Sequence, residues 1–407
     1  MMKQYMETKS QYQDCILFYR LGDFYEMFFE DALTASRELE ITLTGKNCGQ
    51  EERAPMCGVP YHAVEGYLNR LVAKGYKVAI CEQVEDPKQA KGIVKREVVR
   101  IVTPGTNLDT QALDETKNNY IMCIVYIADR YGVSIADIST GDYFVTELPD
   151  GSRLMDEIYK FSPSEIICNE AFYMSGMDLD TMKEKLGITI YSLDSWYFDD
   201  AMCREKLLEH FKVSSFAGLG LEDYDCGVIS AGALLTYLLE TQKNSLSNLT
   251  HLTPYVTGKY MMLDSSTRRN LELCETLREK QKRGSLLWVL DKTKTAMGAR
   301  TLRKYIEQPL IDKSAIEKRL DAVDELVKNA ISREEIREYL SPVYDLERLV
   351  CRITYQSANP RDLIAFQSSL AMLPHIKYIL NDMQTPLLKE LNEELDTLGD
   401  LCKLVSD

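Results

Sequence analysis

The sequence has few residues that interrupt regular structure and few that bind metals. Its 407 residues include 21 Gly, 12 Pro, 2 Trp and 4 His. With 45% apolar residues, this composition argues against disorder and predicts two to four domains with their own cores. The eleven cysteines are odd in number and form no Cys-x-x-Cys pair, so we expect reduced, mostly buried thiols. We expect Cys57 and His62 to pack in the fold and not to bind a metal.

Two further signals are missing. The sequence shows no signal peptide and no apolar run of transmembrane length, which predicts a soluble, cytoplasmic protein without membrane contact. It also lacks the phosphate loop Gly-x4-Gly-Lys-Ser/Thr. Its Gly-Lys pairs stand in Gly45-Lys46-Asn47 and Gly258-Lys259-Tyr260, and neither has a glycine five positions earlier. We therefore expect no ATP site, no cofactor and no catalysis in this chain.

The net charge of −15 is unevenly distributed. Residues 1–105 carry 14 basic and 15 acidic groups, residues 106–255 carry 10 and 24, residues 256–310 carry 12 and 6, and residues 311–407 carry 12 and 18. Because binding to phosphates requires Lys and Arg, the acidic block at 106–255 is better suited to protein contact or solubility. In the first block, one small basic patch faces only Glu97 as a local acid; it comprises Lys88, Lys91, Lys95, Arg96 and Arg100.

The most informative motif is Leu21-Gly22-Asp23-Phe24-Tyr25-Glu26. In an extended strand after a glycine turn, Phe24 and Glu26 share one face and Tyr25 lies on the other. An aromatic ring can wedge between stacked bases, and a carboxylate can hydrogen-bond to a base edge. The pair could therefore test DNA for a poorly seated base pair.

At this motif the chain resembles the N-terminal part of the MutS family, whose members recognise mismatches in DNA. Further segments resemble that family in the same order along the chain. They are residues 55–63 (Pro-Met-Cys-Gly-Val-Pro-Tyr-His-Ala), 79–83 (Ala-Ile-Cys-Glu-Gln), 100–106 (Arg-Ile-Val-Thr-Pro-Gly-Thr), 284–287 (Gly-Ser-Leu-Leu) and 308–310 (Gln-Pro-Leu).

The resemblance implies specific roles. Phe24 would stack on the mispaired base and Glu26 would hydrogen-bond to it, while Lys46 and Arg96 would contact phosphates. The family acts on double-stranded DNA with mismatches or small loops, works as a homodimer that kinks the duplex, and signals to a MutL-type repair factor. Its ATP and Mg sites lie in a C-terminal domain. Because this chain ends within a helical segment, we expect it to stop before the family's clamp and ATPase domains.

Residues 1–105 are predicted to form a mixed α/β mismatch-recognition domain. Cys15–Leu21 has the pattern of a strand, and residues 30–38 that of a short helix. Apolar residues at helical spacing predict a clear helix over 64–75. It would cover a sheet formed by residues 77–84 and 97–103, with Phe24 and Glu26 on an edge or rim.

Residues 106–255 are predicted to form an RNase H-like α/β connector domain. Strands at 120–128, 132–137 and 143–148 are separated by turns at 129–131 and 139–142. Helix and strand then alternate: 153–161, Glu165–Cys168, Leu179–Leu186, 188–193 and the helix 227–242. Three antiparallel strands followed by βα units favour this fold, and the family resemblance implies it as well.

That fold raises a metal-dependent nuclease as an alternative, since many of its members cleave nucleic acids. Such a site needs a carboxylate in the middle of the first strand. The middle here is Met122-Cys123-Ile124-Val125, which offers no ligand, and Asp137 and Asp142 are expected at a strand end and in a turn. Another alternative is a MutS-like paralogue that binds branched DNA or protein partners. The presence of the Phe24 and Glu26 pair argues against this alternative.

Residues 256–407 are predicted to form a helical core or lever domain without a fixed repeat. Ile316, Leu320, Val323 and Val327 mark the apolar stripe of one helix. Two helix starts are expected. Ser332 with Glu335 predicts a capping box, and Asn359-Pro360 predicts an N-cap followed by proline at the first helical position. Trp288 and Leu290 are expected to pack in the core.

Overall fold

A computed structural model describes residues 1–47, 53–85, 94–109 and 111–406. It contains two six-stranded sheets, each with helices, followed by a segment that is almost entirely helical. This is the predicted class, multidomain α/β followed by all-α. The predicted strands and helices of the first two parts are present, most of them within two residues of the expected ends.

The first sheet has helices on both faces. Its elements are α1 (Met2–Gln11), β1 (Cys15–Leu21), β2 (Phe24–Phe28), α2 (Phe29–Leu39), β3 (Thr44–Lys46), β4 (Ala54–Pro60), α3 (Val64–Ala73), β5 (Lys77–Gln83) and β6 (Arg96–Val102), with a 3-10 turn at Tyr61–Ala63. The strand order is β3-β4-β2-β1-β5-β6, and β1 pairs with β5 in parallel. The buried residues Leu68, Leu71 and Val72 of α3 pack on one face, as their spacing predicts, while α1 packs on the other through Tyr5.

Strand β2 is an interior strand of this sheet. It pairs with β1 on one side and with β4 on the other, so of the two predicted positions for Phe24 and Glu26, an edge or a rim, the sheet edge is wrong. Phe24 is instead the first residue of β2, next to the turn at Gly22, whose φ is +60°. Glycine adopts this φ without steric cost. The site therefore lies at a strand end, with both sides of the strand held by neighbours.

The second sheet has the predicted RNase H-like topology. Its elements are β7 (Ile121–Ile127), β8 (Arg130–Asp137), β9 (Asp142–Leu148), α4 (Gly151–Phe161), β10 (Glu165–Cys168), α5 (Glu170–Tyr173), α6 (Leu179–Leu186), β11 (Thr189–Ser192), α7 (Asp200–Phe211), α8 (Cys226–Gln242) and β12 (Thr253–Pro254). In the order β11-β10-β7-β8-β9-β12, the antiparallel strands β7, β8 and β9 are extended by β10 and β11, which run parallel to β7. Helix α8 packs on β7 and β8.

Two details of this domain differ from the sequence prediction. Arg130 and Tyr131, expected in a turn, belong to β8, because Ala128 and Asp129 both adopt positive φ and make the reversal alone. Helices α5 and α7 were not predicted. Only Cys203 and Leu207 of α7 are buried, so its sequence carries a weak apolar pattern.

A polar network joins the first two domains. The Glu165 carboxylate is buried and accepts hydrogen bonds from Thr103 Oγ1 (2.5 Å), Gly105 N (2.9 Å) and Tyr237 Oη (2.6 Å). Burial raises the pKa of Glu165, although these donors and Lys77 oppose the rise. The segment after β6 is therefore held directly on the strand β10.

The C-terminal part consists of short packed helices, as predicted. They are α9 (Ser265–Asn270), α10 (Leu286–Leu290), α11 (Ala296–Glu307), α12 (Lys313–Lys328), α13 (Ala330–Leu340), α14 (Leu346–Thr354), α15 (Pro360–Leu370), α16 (Leu373–Leu380), α17 (Pro386–Glu394) and α18 (Gly399–Ser406). The N-cap of α15 is confirmed. Asn359 Oδ1 accepts from Asp362 N at 3.1 Å, and Asp362 Oδ2 accepts from Asn359 N at 3.0 Å.

One prediction about helices α12 and α13 is confirmed and one is wrong. Ile316, Leu320, Val323 and Val327 lie in one helix, α12, as predicted. Three of them, Leu320, Val323 and Val327, are nevertheless 57–60% accessible, since the helix packs through Ala322 and Leu326 instead. Ser332 does not cap α13. The helix begins at Ala330, so Ser332 lies inside it.

The core prediction for Trp288 and Leu290 is also wrong. Both side chains are about half exposed, at 47% and 49%. Helix α10 is only five residues long and buries Leu287 alone. Too few positions of so short a helix face inward to bury its other apolar residues.

Residues Pro360–Leu380 are long and apolar enough to cross a membrane by length and composition, with a mean hydropathy of 1.2. The expectation that no such run exists therefore needs correction. The run is divided into α15 and α16, which have 11 and 8 residues and are both shorter than the ~20 residues of a spanning helix. Phe366 and Ile376 are buried in separate apolar clusters of the helical part.

Candidate nucleic-acid interface

Phe24 is an exposed aromatic residue on a well-held strand. Its register places it opposite Leu21 of β1 and Pro60 of β4. The ring is 47% exposed, whereas the next residue, Tyr25, is 4% exposed and packs in the core. The turn before it is fixed by a 3.0 Å hydrogen bond from Tyr61 N to Asp23 O. Phe24 can therefore contact a ligand without any rearrangement of the core.

Glu26 lies on the same face as Phe24 and forms an ion pair with Lys46. The distance from Lys46 Nζ to Glu26 Oε2 is 2.6 Å, with the side chains 34% and 18% exposed. Lys46 is on β3 and Glu26 on β2, and β4 lies between them. The β4 residue opposite Glu26 is Gly58, where an added Cβ would lie 3.6 Å from Glu26 Cγ. Because Gly58 has no side chain, the side chains of Glu26 and Lys46 can meet across β4.

Arg96 is held away from this pair. It lies on β6, separated from β2 by β1 and β5. Its Nε donates to Arg20 O at 2.7 Å and its Nη1 donates to Val94 O at 2.9 Å. The guanidinium also lies 5.3 Å from the ring centroid of Tyr19. The structure thus brings together Phe24, Glu26 and Lys46, while Arg96 is engaged within the fold.

The predicted basic patch is only partly described. Lys88 and Lys91 lie outside the described residues. Lys95 pairs with Glu97 at 2.5 Å, and Arg100 pairs with Glu65 of α3 at 3.2 Å. From the sequence, Glu97 was the one local acid expected to oppose the patch, because Glu65 is distant along the chain. Arg100 is therefore more fully neutralised than expected.

A second cluster of side chains, which the sequence did not predict, lies on the face of the sheet opposite Phe24 and Glu26. The Arg20 guanidinium lies 3.8 Å from the ring centroid of Tyr61, which is 43% exposed, and 3.7 Å from the Glu82 carboxylate. Tyr25 Oη donates a hydrogen bond to Glu82, and burial is the main cause that raises the pKa of Tyr25. Tyr61 and Glu82 each stand in a segment that resembles the MutS family. Their positions in those segments are the sequence feature from which this cluster could have been predicted.

The carboxylates of Asp137, which is buried at the end of β8, and of Asp142 belong to a hydrogen-bonded network. Asn118 Nδ2 donates to Asp137 Oδ2 at 2.8 Å and to Asp142 Oδ2 at 3.1 Å. Asp142 begins β9, where the sequence had predicted a turn residue. The middle of β7 is apolar and fully buried. Within the described ranges, no group of three or more His, Cys, Asp or Glu side chains is arranged to hold a metal ion.

Comparison with known proteins covers nearly the whole chain. Family models described as MutS domain I, MutS domain II and MutS domain III match residues 1–111, 119–252 and 266–407. The chain belongs to the MutS family. Its mixed sheet, its RNase H-like sheet and its helical part correspond in order to those three MutS domains.

Several curated MutS relatives match over the full length of this chain. The DNA mismatch repair protein MutS of Lachnoclostridium phytofermentans is 66% identical over 405 residues, which cover 100% of this chain and 44% of the relative. The proteins of the same name from Ruminiclostridium cellulolyticum and Acetivibrio thermocellus are 52% and 51% identical, again over 100% of this chain and over 46% and 47% of their own lengths. The chain therefore spans less than half the length of these MutS relatives.

Proposed function

We propose that this chain supplies the mismatch-recognition part of a MutS protein. Phe24 stacks on the mispaired base of a duplex, and Glu26 forms a hydrogen bond with that base. The observation that carries the proposal is the 47% exposure of Phe24 at the end of an interior strand, with Glu26 on the same face. A residue needed only for packing would be buried, as its neighbour Tyr25 is.

The energetics agree with this role. Stacking of a base on an aromatic side chain contributes roughly 1–3 kcal/mol, which is enough to distinguish a weakly stacked mismatch from a matched pair. A carboxylate near phosphates is repelled by them. The ion pair with Lys46 offsets part of that charge before DNA binds, and we propose that the same lysine contacts a phosphate.

The activities of the intact protein are also proposals. We propose that it acts on duplex DNA with mismatches or small loops, as a homodimer, and engages a MutL-type repair factor. ATP and Mg²⁺ would bind in a C-terminal domain outside the three domains described here. The DNA-binding residues we propose are Phe24, Glu26 and Lys46, with Arg96 in a supporting position beside Arg20 and Tyr19.

A titration of labelled duplexes tests the proposal. The chain, and the same chain extended to the length of its relatives, would be titrated with a G·T duplex and its matched counterpart. We expect the extended protein to prefer the mismatch. Equal affinity for both duplexes, combined with tight binding to a four-way junction, would instead support the paralogue that binds branched DNA.

A second measurement concerns the chain as it stands. We expect weak DNA binding, because few phosphate contacts come from a domain of nearly zero net charge, and we expect that binding to fall as salt is added, because those contacts are electrostatic. We also expect no heat of ATP binding in the presence of Mg²⁺. Tight, salt-insensitive DNA binding would reveal another DNA surface, and ATP binding would reveal a nucleotide site.

A further inference from the structure

The turn that carries Phe24 has little support from packing. Gly22, Asp23 and Phe24 are all exposed, whereas the next residue, Tyr25, is buried. A Cβ on Gly22 would meet open space: apart from its chain neighbours, no atom of the described residues lies within 4 Å of that position. The position of the Phe24 ring therefore depends on the polar contacts that hold this turn.

Arg20 makes the side-chain contact with the turn. Its Nε donates a hydrogen bond to Gly22 O. The same guanidinium lies 3.8 Å from the ring centroid of Tyr61, and its Nη1 lies 3.7 Å from Glu82 Oε1. Tyr61 N in turn donates to Asp23 O at 3.0 Å. One side chain thus links the turn to β5 and to the residue that follows β4.

The partners of Arg20 are themselves anchored in the first domain. Its backbone oxygen accepts a hydrogen bond from Arg96 Nε of β6 at 2.7 Å. Its register partner on β2 is the buried Tyr25, whose ring centroid lies 5.5 Å from the guanidinium. Tyr25 Oη donates to Glu82. The contact with the turn therefore starts from a side chain that has fixed neighbours.

The same contacts argue against a direct role of Arg20 in DNA binding. Its side chain is 17% exposed, half the 34% of Lys46. As the register partner of Tyr25, it lies on the face of the sheet opposite Phe24 and Glu26. Its charge is directed towards Glu82. Arg20 is thus placed to act on the turn and not on a phosphate.

We propose that Arg20 is a positioning residue, which holds the turn at Gly22 and Asp23 so that the Phe24 ring is preorganised for stacking. The inference rests on the proposed function of Phe24. Ordering a loop or a side chain on binding costs free energy, and a turn that is already fixed avoids this cost. A matched duplex, into which the ring does not insert, gains nothing from it. Arg20 therefore raises discrimination through Phe24.

Arg20→Lys in the full-length protein tests this role, because lysine keeps the charge and loses the planar group and the Nε donor. We expect mismatch affinity to fall roughly threefold to tenfold and matched affinity to stay at the wild-type level. Arg70→Lys, at an exposed arginine of α3, is the matched control and should change neither affinity. Equal losses on both duplexes would indicate a phosphate contact, and that outcome or wild-type discrimination in Arg20→Lys would overturn the proposal.

Hydrogen exchange of the 407-residue chain without DNA gives a second readout. The amide of Tyr61, which donates to Asp23 O, should exchange faster in Arg20→Lys, while the urea midpoint stays close to that of the wild type. Unchanged exchange would show that the turn does not depend on Arg20. If Arg20→Lys fails to fold, Tyr61→Leu removes the ring beneath the guanidinium, and this variant should also lose mismatch affinity selectively. A Tyr61→Leu protein with wild-type discrimination would then overturn the proposal.

The Phe24→Ala background separates this inference from the proposed function. Because Arg20 acts through the ring, Phe24→Ala and the double variant with Arg20→Lys should bind the mismatch equally. A further loss in the double variant would contradict the positioning role. If Phe24→Ala alone keeps its discrimination, the proposed function fails. If Phe24→Ala loses discrimination and Arg20→Lys does not, only the role of Arg20 fails.

Discussion

The Lys46 ammonium lies 2.6 Å from a Glu26 carboxylate oxygen, although the two residues are 20 positions apart in sequence and lie on strands separated by β4. The carboxylate that we propose to contact a base is thus paired before any DNA is present. Binding to a base therefore exchanges one partner of Glu26 for another. This exchange makes the effects of the two side chains on DNA binding interdependent.

Glu26→Ala should strengthen binding to matched DNA and weaken the preference for a mismatch. The change removes a charge that phosphates repel, removes the carboxylate that pairs with Lys46, and deletes the proposed hydrogen bond to the base. The measurement is the ratio of mismatched to matched affinity for the full-length protein at one salt concentration. Glu26→Gln, which keeps a polar group without the charge, should retain more of the preference. An unchanged ratio in Glu26→Ala would mean that Glu26 is only a surface residue.

Phe24→Ala in the full-length protein should lower mismatch affinity to about the level of matched DNA, because base stacking on the ring is lost. Its stability should change by only about 0.5 kcal/mol, since the ring is half exposed. Affinities for both duplexes and a urea unfolding curve provide the two values. Val99→Ala, at an exposed apolar residue of β6, is the matched control and should leave discrimination intact. A well-folded Phe24→Ala protein that still discriminates would exclude the proposed wedge.

Asn359→Ala should destabilise the chain by about 1 kcal/mol, because it removes the confirmed N-cap of α15. Ser332→Ala provides a matched comparison. Ser332 lies inside α13 and caps nothing, and alanine has the higher helix propensity, so this variant should be neutral or slightly stabilising. Urea unfolding of both variants gives the answer. Equal destabilisation by the two would show that α13 begins later than described.

Glu165→Gln should change how stability depends on pH. Because burial raises the folded-state pKa of Glu165 above its usual 4.5, its favourable contribution is complete below pH 4.5 and is lost as pH rises through the folded-state pKa. The uncharged glutamine has no such loss. The difference in unfolding free energy between wild type and variant should therefore shift towards the variant as pH rises above 4.5. A difference that stays constant over this range would contradict the assignment.

The sequence predicted elements well where local patterns are strong. Strands such as Cys15–Leu21 and Glu165–Cys168 have the predicted ends, because continuous apolar runs stop at turn residues. The sequence prediction failed where the packing of one helix against another determines which residues are buried. The α12 stripe has helical spacing, yet the helix packs through Ala322 and Leu326. The spacing of apolar residues within one helix does not show which neighbouring helix packs against which of its faces.

The candidate site likewise has features that the sequence predicts and contacts that it does not. The exposed Phe24 and buried Tyr25 follow from strand alternation, which sequence contains. The ion pair of Glu26 with Lys46 depends on the register of β2, β3 and β4, and the contact of Arg96 with Arg20 depends on how β6 packs beside β5 in the sheet. Such pairings between distant segments have no local signal.

Gly105 determines how the first two domains fit together. A Cβ at this position would lie 2.7 Å from Ile121 Cβ and 3.0 Å from Glu165 Oε2, so a single methyl group would force the linker away from the second sheet. With glycine there, the segment after β6 packs directly against Ile121 of β7 and Glu165 of β10. If Phe24 contacts DNA as we propose, a displacement of the first domain would therefore act on the second sheet at this short contact.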